Sequence, residues 1–452
     1  MATATSTSPT SPLASEPSPR RTLTIEGGVP LRGEVTIGGA KNAALPILAA
    51  TLLTSEECVI NGVPELADIV TMAALLRALG ATVDIDTARH RITVRAAKII
   101  STSAPPDLVG KMRASFLVAG PLLARIGEVE ASTPGGCQLG ARPVDVDVRG
   151  FKHMGAQIEF TEQQVRARTN ALRGARIYMD YPSHTGTENL LMAASLADGR
   201  TTIVNAACEP EIVALGNMLN RMGARISGLG SPTIVVEGVD RLHGVSETIL
   251  PDRLEAGTYA IGAVITGGEV TLHRVREPDM LPLTAKLREA GAEVWTHEES
   301  MLIRPGDGLQ AVEIQTLPFP GFPTDLQAAF AVLMTQATGL SKIHERVFED
   351  RLRYTDQLNL MGANIWVEHF APNRYGTRAE IQGPTRLHGA AVRALDIRAG
   401  AGMVLAGLVA DGETSISDIY HIDRGYDDLV GKLRQLGAKI AHDELPAEST
   451  SI

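Results

Sequence analysis

Two patterns of apolar and polar residues alternate along this chain. The first, as in "FKHMGAQIEF" and "KLREAGAEVW", has apolar residues at helical spacing, then glycine and alanine, then a short alternating run. It predicts an amphipathic helix, a turn and a strand. Because glycine adopts the left-handed conformation without a Cβ penalty, we expect each glycine to end its helix. These glycines are spaced by 75, 68, 68, 71 and 75 residues, at Gly80, Gly155, Gly223, Gly291, Gly362 and Gly437.

The second pattern is a polar start, a mostly apolar run, a turn and a strand, as in "KNAALPILAATLLTSEECVI". It predicts a helix that is buried on most sides. Free N–H groups and the helix dipole favour anions at such starts, although each could equally be an ordinary solvated helix end. In the first copy we expect Asn42 to cap the helix and Pro46 to lie in its first turn. The six starts are Lys41, Arg113, Thr185, Arg253, Asp325 and Arg398.

The two patterns together form one unit of about 70 residues that occurs six times, which predicts an α/β fold. Of the 452 residues, 44% are hydrophobic and 21% charged, enough for a sizeable core. The formal net charge of −10 argues against a nucleic-acid or membrane binder. No apolar run reaches the roughly 20 residues of a membrane span. Residues 1–20, rich in Ser, Thr and Pro, predict a disordered tail, with a transit peptide as the alternative.

The three cysteines, Cys58, Cys137 and Cys208, are too few and too far apart for a disulfide framework or a zinc site. This favours a reducing, cytoplasmic compartment. Cys137 stands in "TPGGCQLGARPVD", where glycine and proline predict an exposed loop. The charge of Arg142, five residues away, would lower the pKa of its thiol. The alternatives for Cys137 are a functional thiol and an incidental loop thiol.

The chain resembles the enolpyruvyl transferases in a series of stretches between about residues 22 and 443. They include "GGAKNAALPILAATLL", "KMRASFLVAGPLLARIG", "PGGCQLGARPVDVD", "LPDRLEAGTY", "FPTDLQAAF", "VFEDR" and "YHIDRGYDDL". The resemblance implies a two-domain inside-out α/β barrel of six repeats, three per domain, with the active site between the domains. It implies one domain of residues 21–41 plus 251–452, and an inserted domain of residues 42–250 that carries the Cys137 loop.

The resemblance also implies the reaction. The enolpyruvyl group of phosphoenolpyruvate would pass to the 3-hydroxyl of UDP-N-acetylglucosamine by addition and elimination, with release of phosphate. This would be the first committed step of peptidoglycan precursor synthesis, and it requires no metal and no cofactor. One rival is a shikimate-pathway enolpyruvyl transferase, against which the Pro-Gly-Gly-Cys loop argues. The other is a catalytically silent relative that only binds the nucleotide sugar.

The family's functional residues carry over onto matching positions. Asp325 would take the hydroxyl proton and Cys137 would protonate the methylene carbon, with Lys41 and Arg424 completing the catalytic set. The antibiotic fosfomycin, an epoxide, would alkylate Cys137. The implied phosphoenolpyruvate site comprises Lys41, Asn42, Arg142, Arg398 and Arg424. The implied sugar-nucleotide site comprises Asn42, Arg113, Arg142, Pro143, Val144, Asp145, Val146, Ser183, His184, Asp325 and Val347.

Three parts of the sequence allow more than one interpretation. Family members often carry a lysine where this chain reads "YPSH" at residues 181–184. Contact with the diphosphate would then fall to backbone amides, Ser183 or His184. Asp68, in "VPELAD", would either order Lys41 or belong to a capped turn. Asp325 would also suit a helix N-cap, where aspartate is a favoured residue.

Overall fold

The computed structural model of the protein describes residues 21–110, 112–132, 144–161, 164–369 and 377–444. Its helices are α1 (Lys41–Ala50), α2 (Ala67–Ala78), α3 (Pro106–Val109), α4 (Ala119–Ile126), α5 (Asp145–His153), α6 (His184–Ser195), α7 (Pro210–Arg221), α8 (Arg253–Ile265), α9 (Glu277–Glu289), α10 (Gln327–Thr335), α11 (Thr355–Leu360), α12 (Ile397–Val409), α13 (Tyr420–Asp423) and α14 (Leu429–Gln435). Short 3₁₀ turns span Thr51–Leu53, Thr87–Arg89, Arg113–Val118, Thr324–Leu326 and Arg351–Tyr354.

The strands are β1 (Arg21–Glu26), β2 (Arg32–Thr36), β3 (Glu57–Asn61), β4 (Thr82–Asp86), β5 (Arg91–Arg95), β6 (Glu128–Ser132), β7 (Gln157–Phe160), β8 (Gln164–Arg168), β9 (Arg176–Tyr178), β10 (Arg200–Val204), β11 (Arg225–Ser227), β12 (Thr233–Glu237), β13 (Ser246–Thr248), β14 (Glu269–His273), β15 (Ala292–His297), β16 (Ser300–Pro305), β17 (Glu313–Gln315), β18 (Gly339–Glu345), β19 (Ile365–His369), β20 (Thr377–Gly383), β21 (Ala391–Arg393), β22 (Glu413–Ser417) and β23 (Lys439–Glu444).

The sheets repeat one pairing pattern. In the sheet β13-β3-β5-β4, β13 runs parallel to β3 and the next two pairs are antiparallel. The same order of one parallel and two antiparallel pairs occurs in β9-β10-β12-β11, β2-β14-β16-β15, β17-β18-β20-β19 and β21-β22-β1-β23. In β6-β8-β7 a single parallel bridge from Ser103 to Glu130 stands in the place of the parallel strand.

The six predicted helix–glycine–strand segments are confirmed. Helices α2, α5, α7, α9, α11 and α14 are each followed by the predicted glycine and then by a strand. The six glycines have φ angles between 93° and 108°. A side chain at such an angle would bring its Cβ against the neighbouring carbonyl, so glycine ends these helices at the lowest cost.

The predicted starts of the apolar helices are also confirmed, to within one residue. Lys41, Arg113 and Arg253 are the first residues of their helical segments, and Thr185, Asp325 and Arg398 are the second. In contrast, the cap predicted for the first of these helices is wrong. Its N-cap is Ala40, and Asn42 and Pro46 are its second and sixth residues. Proline has no N–H to donate, so the Asn42 carbonyl loses its intrahelical bond at that point.

Buried apolar side chains form two separate clusters. One contains residues from Ala40 to Leu250, and the other combines Leu23–Ile37 with residues from Leu254 to Ile440. The chain crosses between them at residues 38–40 and 250–252. These crossings pair with each other, because Ala40 N–H donates to the Leu250 carbonyl and Asp252 N–H to the Gly38 carbonyl, at 2.8 and 2.9 Å. A Cβ on Gly39 would lie 2.0 Å from the Gly62 carbonyl oxygen, so only glycine fits there.

The N-terminal tail, residues 1–20, lies outside the described residues and is expected to be dispensable. Strand β1 begins at Arg21 and pairs with both β22 and β23. Deleting residues 2–20 leaves that strand whole, and the deleted segment has few large apolar groups able to dock. We expect activity and melting temperature to stay nearly unchanged. A large loss of soluble, active protein would contradict this.

Candidate active site

A cavity of about 1030 Å³ lies between the two apolar clusters and is lined by residues of both. All six predicted helix starts reach it. Because the first N–H groups of a helix lack intrahelical partners, helix ends that face one space make it favourable for anions. Three of these residues come from each side of the cavity: Lys41, Arg113, Thr185, Arg253, Asp325 and Arg398.

One end of the cavity holds a carboxylate between two cations. Asp68 accepts from Lys41 Nζ at 3.2 Å and from Arg424 Nε at 2.9 Å. The side chains of Lys41 and Asp68 are 9% and 7% exposed. Burial lowers the pKa of Lys41, although the Asp68 charge opposes that shift. Asp68 comes from α2 and Arg424 follows α13, so this contact joins the two sides of the cavity. Of the two hypotheses for Asp68, a partner that orders Lys41 or a residue of a capped turn, this contact supports the first.

Asp325 lies between two arginines. Its Oδ1 accepts from Arg351 at 2.9 Å and its Oδ2 from Arg398 Nε at 3.2 Å, and both arginine side chains are 4% exposed. Burial alone would raise the pKa of Asp325, but the charges of Arg351, Arg398 and Lys41 hold it below its usual range. These ion pairs therefore stabilise the fold above the ordinary aspartate pKa of about 4 and are lost as pH falls through the lowered value.

Asp325 does not act as a helix cap. The helical turn begins at Thr324, its N-cap is Pro323, and no side chain caps it. The carboxylate faces the cavity instead, with its side chain 25% exposed. Its oxygens therefore remain accessible to a ligand while both arginines hold them.

Most residues of the predicted sugar-nucleotide site line the same cavity. Val144 is 8% exposed, at the N-cap of α5, and packs in the first apolar cluster rather than in the wall. Cys137, Arg142 and Pro143 lie outside the described residues. The lining residues among those predicted are Asn42, Arg113, Asp145, Val146, Ser183, His184, Asp325 and Val347.

The "YPSH" stretch forms the entrance to α6. Ser183 caps this helix, since its hydroxyl accepts from Gly186 N–H at 3.1 Å. His184 follows it, with Nδ1 3.6 Å from Glu188 Oε1. Burial lowers the pKa of His184, but Glu188, Glu209 and Glu211 outweigh it and raise the pKa. At neutral pH a larger fraction of His184 therefore carries a positive charge than at its ordinary pKa.

Two features of this region were missed in the sequence: the buried carboxyl of Glu188, and the partner of Arg253, which is itself a predicted helix start. Burial raises the pKa of Glu188 to about 8, against the opposing charge of His184. Arg253, at the start of α8, forms a two-pronged pair with Glu211 of α7, at 3.0 and 3.4 Å. The side chains of that pair are 10% and 2% exposed. It is a second ion pair that joins the two sides of the cavity, beside Asp68 and Arg424.

Within the described ranges, no group of three or more His, Cys, Asp or Glu side chains is arranged to hold a metal ion. No helix in those ranges is both long and apolar enough to cross a membrane.

The chain is similar in sequence to known enolpyruvyl transferases. A family model described as EPSP synthase (3-phosphoshikimate 1-carboxyvinyltransferase) matches residues 25–433. The UDP-N-acetylglucosamine 1-carboxyvinyltransferase 2 of Carboxydothermus hydrogenoformans is 50% identical over 418 residues, 92% of this chain and 98% of the relative. The UDP-N-acetylglucosamine 1-carboxyvinyltransferase of Finegoldia magna is 46% identical over 427 residues, 94% of this chain and 99% of the relative.

Two solved structures have folds similar to that of this chain. The enolpyruvyl transferase NikO from Streptomyces tendae superposes with a TM-score of 0.84 at 26% identity, covering 95% of this chain and all of that one. EPSP synthase from Acinetobacter baumannii has a TM-score of 0.72 at 19% identity, covering 94% and 100% of the two chains. The fold is therefore the α/β fold of these proteins. By sequence match along nearly its whole length, the chain belongs to the EPSP synthase family of enolpyruvyl transferases.

Proposed function

We infer that this chain is a transferase that moves the enolpyruvyl group of phosphoenolpyruvate to the 3-hydroxyl of UDP-N-acetylglucosamine, the acceptor named for its half-identical relatives. One observation carries the inference. Lys41, Arg398 and Asp325, from helix starts far apart in sequence, meet in one cavity of suitable charge. The reaction begins peptidoglycan precursor synthesis, and the small number of cysteines supports a cytoplasmic location.

The chemistry is an addition followed by an elimination. The sugar oxygen forms a bond to C2 of phosphoenolpyruvate while C3 gains a proton, which gives a tetrahedral adduct. Loss of a proton from C3 and cleavage of the C2–O bond to phosphate then leave an enol ether. The site must therefore bind two anionic groups, accept the hydroxyl proton and supply the C3 proton.

Cations bind the phosphate and the carboxylate of phosphoenolpyruvate in this proposal. Lys41 and Arg424 flank Asp68 at one end, and Arg398 lies beside Asp325. An arginine fork matches two oxygens of a carboxylate or a phosphate at once. Asn42, the second residue of α1, and Arg142 complete this set. Asp68 partly neutralises two of the cations, so an incoming phosphate exchanges one anionic partner for another.

Asp325 is proposed to accept the hydroxyl proton. The lowered pKa keeps it ionised at neutral pH, so it is always able to accept a hydrogen bond. Such a weak base takes a proton only as the hydroxyl becomes acidic during formation of the C–O bond. Proton transfer and addition are therefore expected to occur together, with Cys137 as the acid that protonates C3.

The sugar nucleotide is proposed to contact the cavity wall near α6. His184 and Ser183 replace the lysine that family members often carry, and His184 has a raised pKa. Arg113 supplies a further cation from the same side. The remaining proposed contacts are Asn42, Arg142, Pro143, Val144, Asp145, Val146, Asp325 and Val347.

We also propose the finer architecture, a two-domain inside-out barrel of six repeats with three repeats per domain. The recurrent pairing of one parallel and two antiparallel strand pairs supports the repeats. The two apolar clusters support an inserted domain of residues 42–250 and a second domain of residues 21–41 plus 251–452. Strand β13 pairs with β3 in the inserted domain, and β2 pairs with β14 in the other domain. In both sheets the parallel strand therefore comes from the same proposed domain as its partner.

The decisive experiment measures phosphate release from phosphoenolpyruvate with UDP-N-acetylglucosamine as acceptor, and in parallel with shikimate 3-phosphate. We expect release only with the nucleotide sugar, together with a product heavier by the enolpyruvyl group. Release with shikimate 3-phosphate would favour the other branch of the family. Tight binding of the nucleotide sugar without release would favour the silent relative.

Replacing Arg424 by lysine keeps the charge but removes the planar fork and the 2.9 Å contact to Asp68. We expect KM for phosphoenolpyruvate to rise more than KM for the sugar nucleotide. Arg393→Lys is the matched control, because Arg393 is 66% exposed and pairs with Asp418 away from the cavity. Equal affinity for phosphoenolpyruvate in Arg424→Lys and wild type would remove Arg424 from the proposed site.

A further inference from the structure

Arg398 is held by contacts that do not use its whole guanidinium. Nε donates to Asp325 Oδ2 at 3.2 Å, while Nη1 is buried and has no hydrogen-bond partner among the described residues. The side chain is 4% exposed and belongs to the cavity wall. A buried N–H without a partner is costly. Because Nη1 is buried without a hydrogen bond to any described residue, the orientation of the guanidinium depends on the other groups that pack against it.

The guanidinium of Arg398 lies over the face of an aromatic ring. Arg398 Cζ is 5.2 Å from the ring centroid of Tyr426, which is within the range of a cation–π contact. Tyr426 is 4% exposed and lies behind Arg398, outside the cavity wall. Both partners are desolvated, which is where a cation–π contact is strongest.

The ring itself is fixed from its far end. The Tyr426 hydroxyl lies 2.9 Å from Thr258 Oγ1, and Thr258 donates its own hydrogen to the Leu254 carbonyl at 3.0 Å. Tyr426 must therefore be the donor to Thr258. On the other side, a Cβ on Gly425 would lie 2.1 Å from Ile397 Cγ2, so the turn packs directly against the residue before Arg398.

We propose that Tyr426 is a positioning residue for Arg398: its ring holds the guanidinium in one orientation at the wall of the proposed phosphoenolpyruvate site. Asp325 attracts Arg398 strongly, and without the ring the guanidinium would be free to turn and pair with both carboxylate oxygens. That rotation would change which part of the guanidinium lines the cavity. The turn at residues 424–426 would thus position two cations. It carries Arg424 itself, and it orients Arg398 through the Tyr426 ring.

The proposal rests on the proposed function, since it takes Arg398 as a contact to phosphoenolpyruvate. In Tyr426→Leu we expect KM for phosphoenolpyruvate to rise about 3- to 30-fold, the value of a buried cation–π contact. KM for the sugar nucleotide and kcat should change by less than about twofold. Tyr426→Phe keeps the ring but loses the interaction of the hydroxyl with Arg398, so it should recover part of the lost affinity.

Two comparisons separate positioning from a general loss of stability. Tyr259→Leu is the matched control, because Tyr259 is fully buried in the same cluster and adjoins Thr258 on α8, but its hydroxyl has no hydrogen-bond partner in the described part of the chain. It should lower the melting temperature without a selective change in KM. In an Arg398→Lys background, which lacks the planar cation, Tyr426→Leu should add little further effect.

Binding of phosphoenolpyruvate is also measured by the rise in melting temperature, which needs no turnover. If wild type binds it but releases no phosphate, the proposed function fails while Tyr426→Leu still reports on Arg398. The inference is overturned if Tyr426→Leu binds phosphoenolpyruvate like wild type, or if Tyr259→Leu shows the same selective loss. Fully additive effects of Tyr426→Leu and Arg398→Lys would overturn it too.

Discussion

Asp325→Asn is expected to lower kcat by about 10²- to 10⁴-fold, the usual contribution of a positioned general base. The amide keeps the shape of the side chain but is unable to take the hydroxyl proton. It also leaves Arg351 and Arg398 without their shared anion, so the melting temperature should fall as well. Steady-state kinetics on folded protein, with circular dichroism as the check on folding, measure both effects.

Asp279→Asn provides the control for that loss of an ion pair. Asp279 is 8% exposed and pairs with Arg276 within α9 and its N-cap, away from Asp325. The same chemical change there should affect stability and leave kcat near wild type. If Asp325→Asn turns over at the wild-type rate, Asp325 is not the base.

Cys137→Ser is expected to lose most activity, because a hydroxyl is far too weak an acid to protonate C3 at neutral pH. Cys137→Asp should keep activity, since a carboxyl is able to donate that proton. Fosfomycin should alkylate wild type at Cys137 alone, faster with UDP-N-acetylglucosamine bound, and the aspartate variant should be resistant. Phosphate-release assays and peptide mapping by mass spectrometry measure these outcomes.

The other two cysteines are internal controls. Cys58 is fully buried, and burial raises the pKa of its thiol to about 11. Burial also raises the pKa of Cys208, which lies beside Glu209. Neither thiol forms much of the reactive thiolate at neutral pH. An adduct on Cys58 or Cys208, or a fully active Cys137→Ser enzyme, would rule out Cys137 as the acid.

Local features were predictable from the sequence because short-range rules determine them. The helix-ending glycines, such as Gly80, follow from backbone sterics alone. The helix starts, such as Arg253, follow from the change from polar to apolar residues. The predicted place of Pro46 was wrong because proline is commonest in the first turn of a helix. Here a buried, tightly packed helix retains it at the sixth residue.

Long-range pairings were not predictable in the same way. Asp68 and Arg424 are 356 residues apart, and no local pattern distinguishes Asp68 from an ordinary turn residue. Arg351 stands in "VFEDR" beside two acidic residues, which suggests a surface ion pair rather than a partner of Asp325. Contacts of this kind depend on the packing of several units, which a single sequence does not encode in its spacing.

The cavity between the two apolar clusters has a thermodynamic consequence. A ligand that contacts both walls binds only when both clusters are folded, so its binding free energy stabilises them jointly. At a ligand concentration of 100 Kd this amounts to about 2.7 kcal/mol. Without ligand, the two clusters are coupled through contacts such as the Asp68–Arg424 and Glu211–Arg253 pairs. With ligand, unfolding either one forfeits the whole binding free energy, so the substrates act as a reversible crosslink that makes one cooperative unit of two cores.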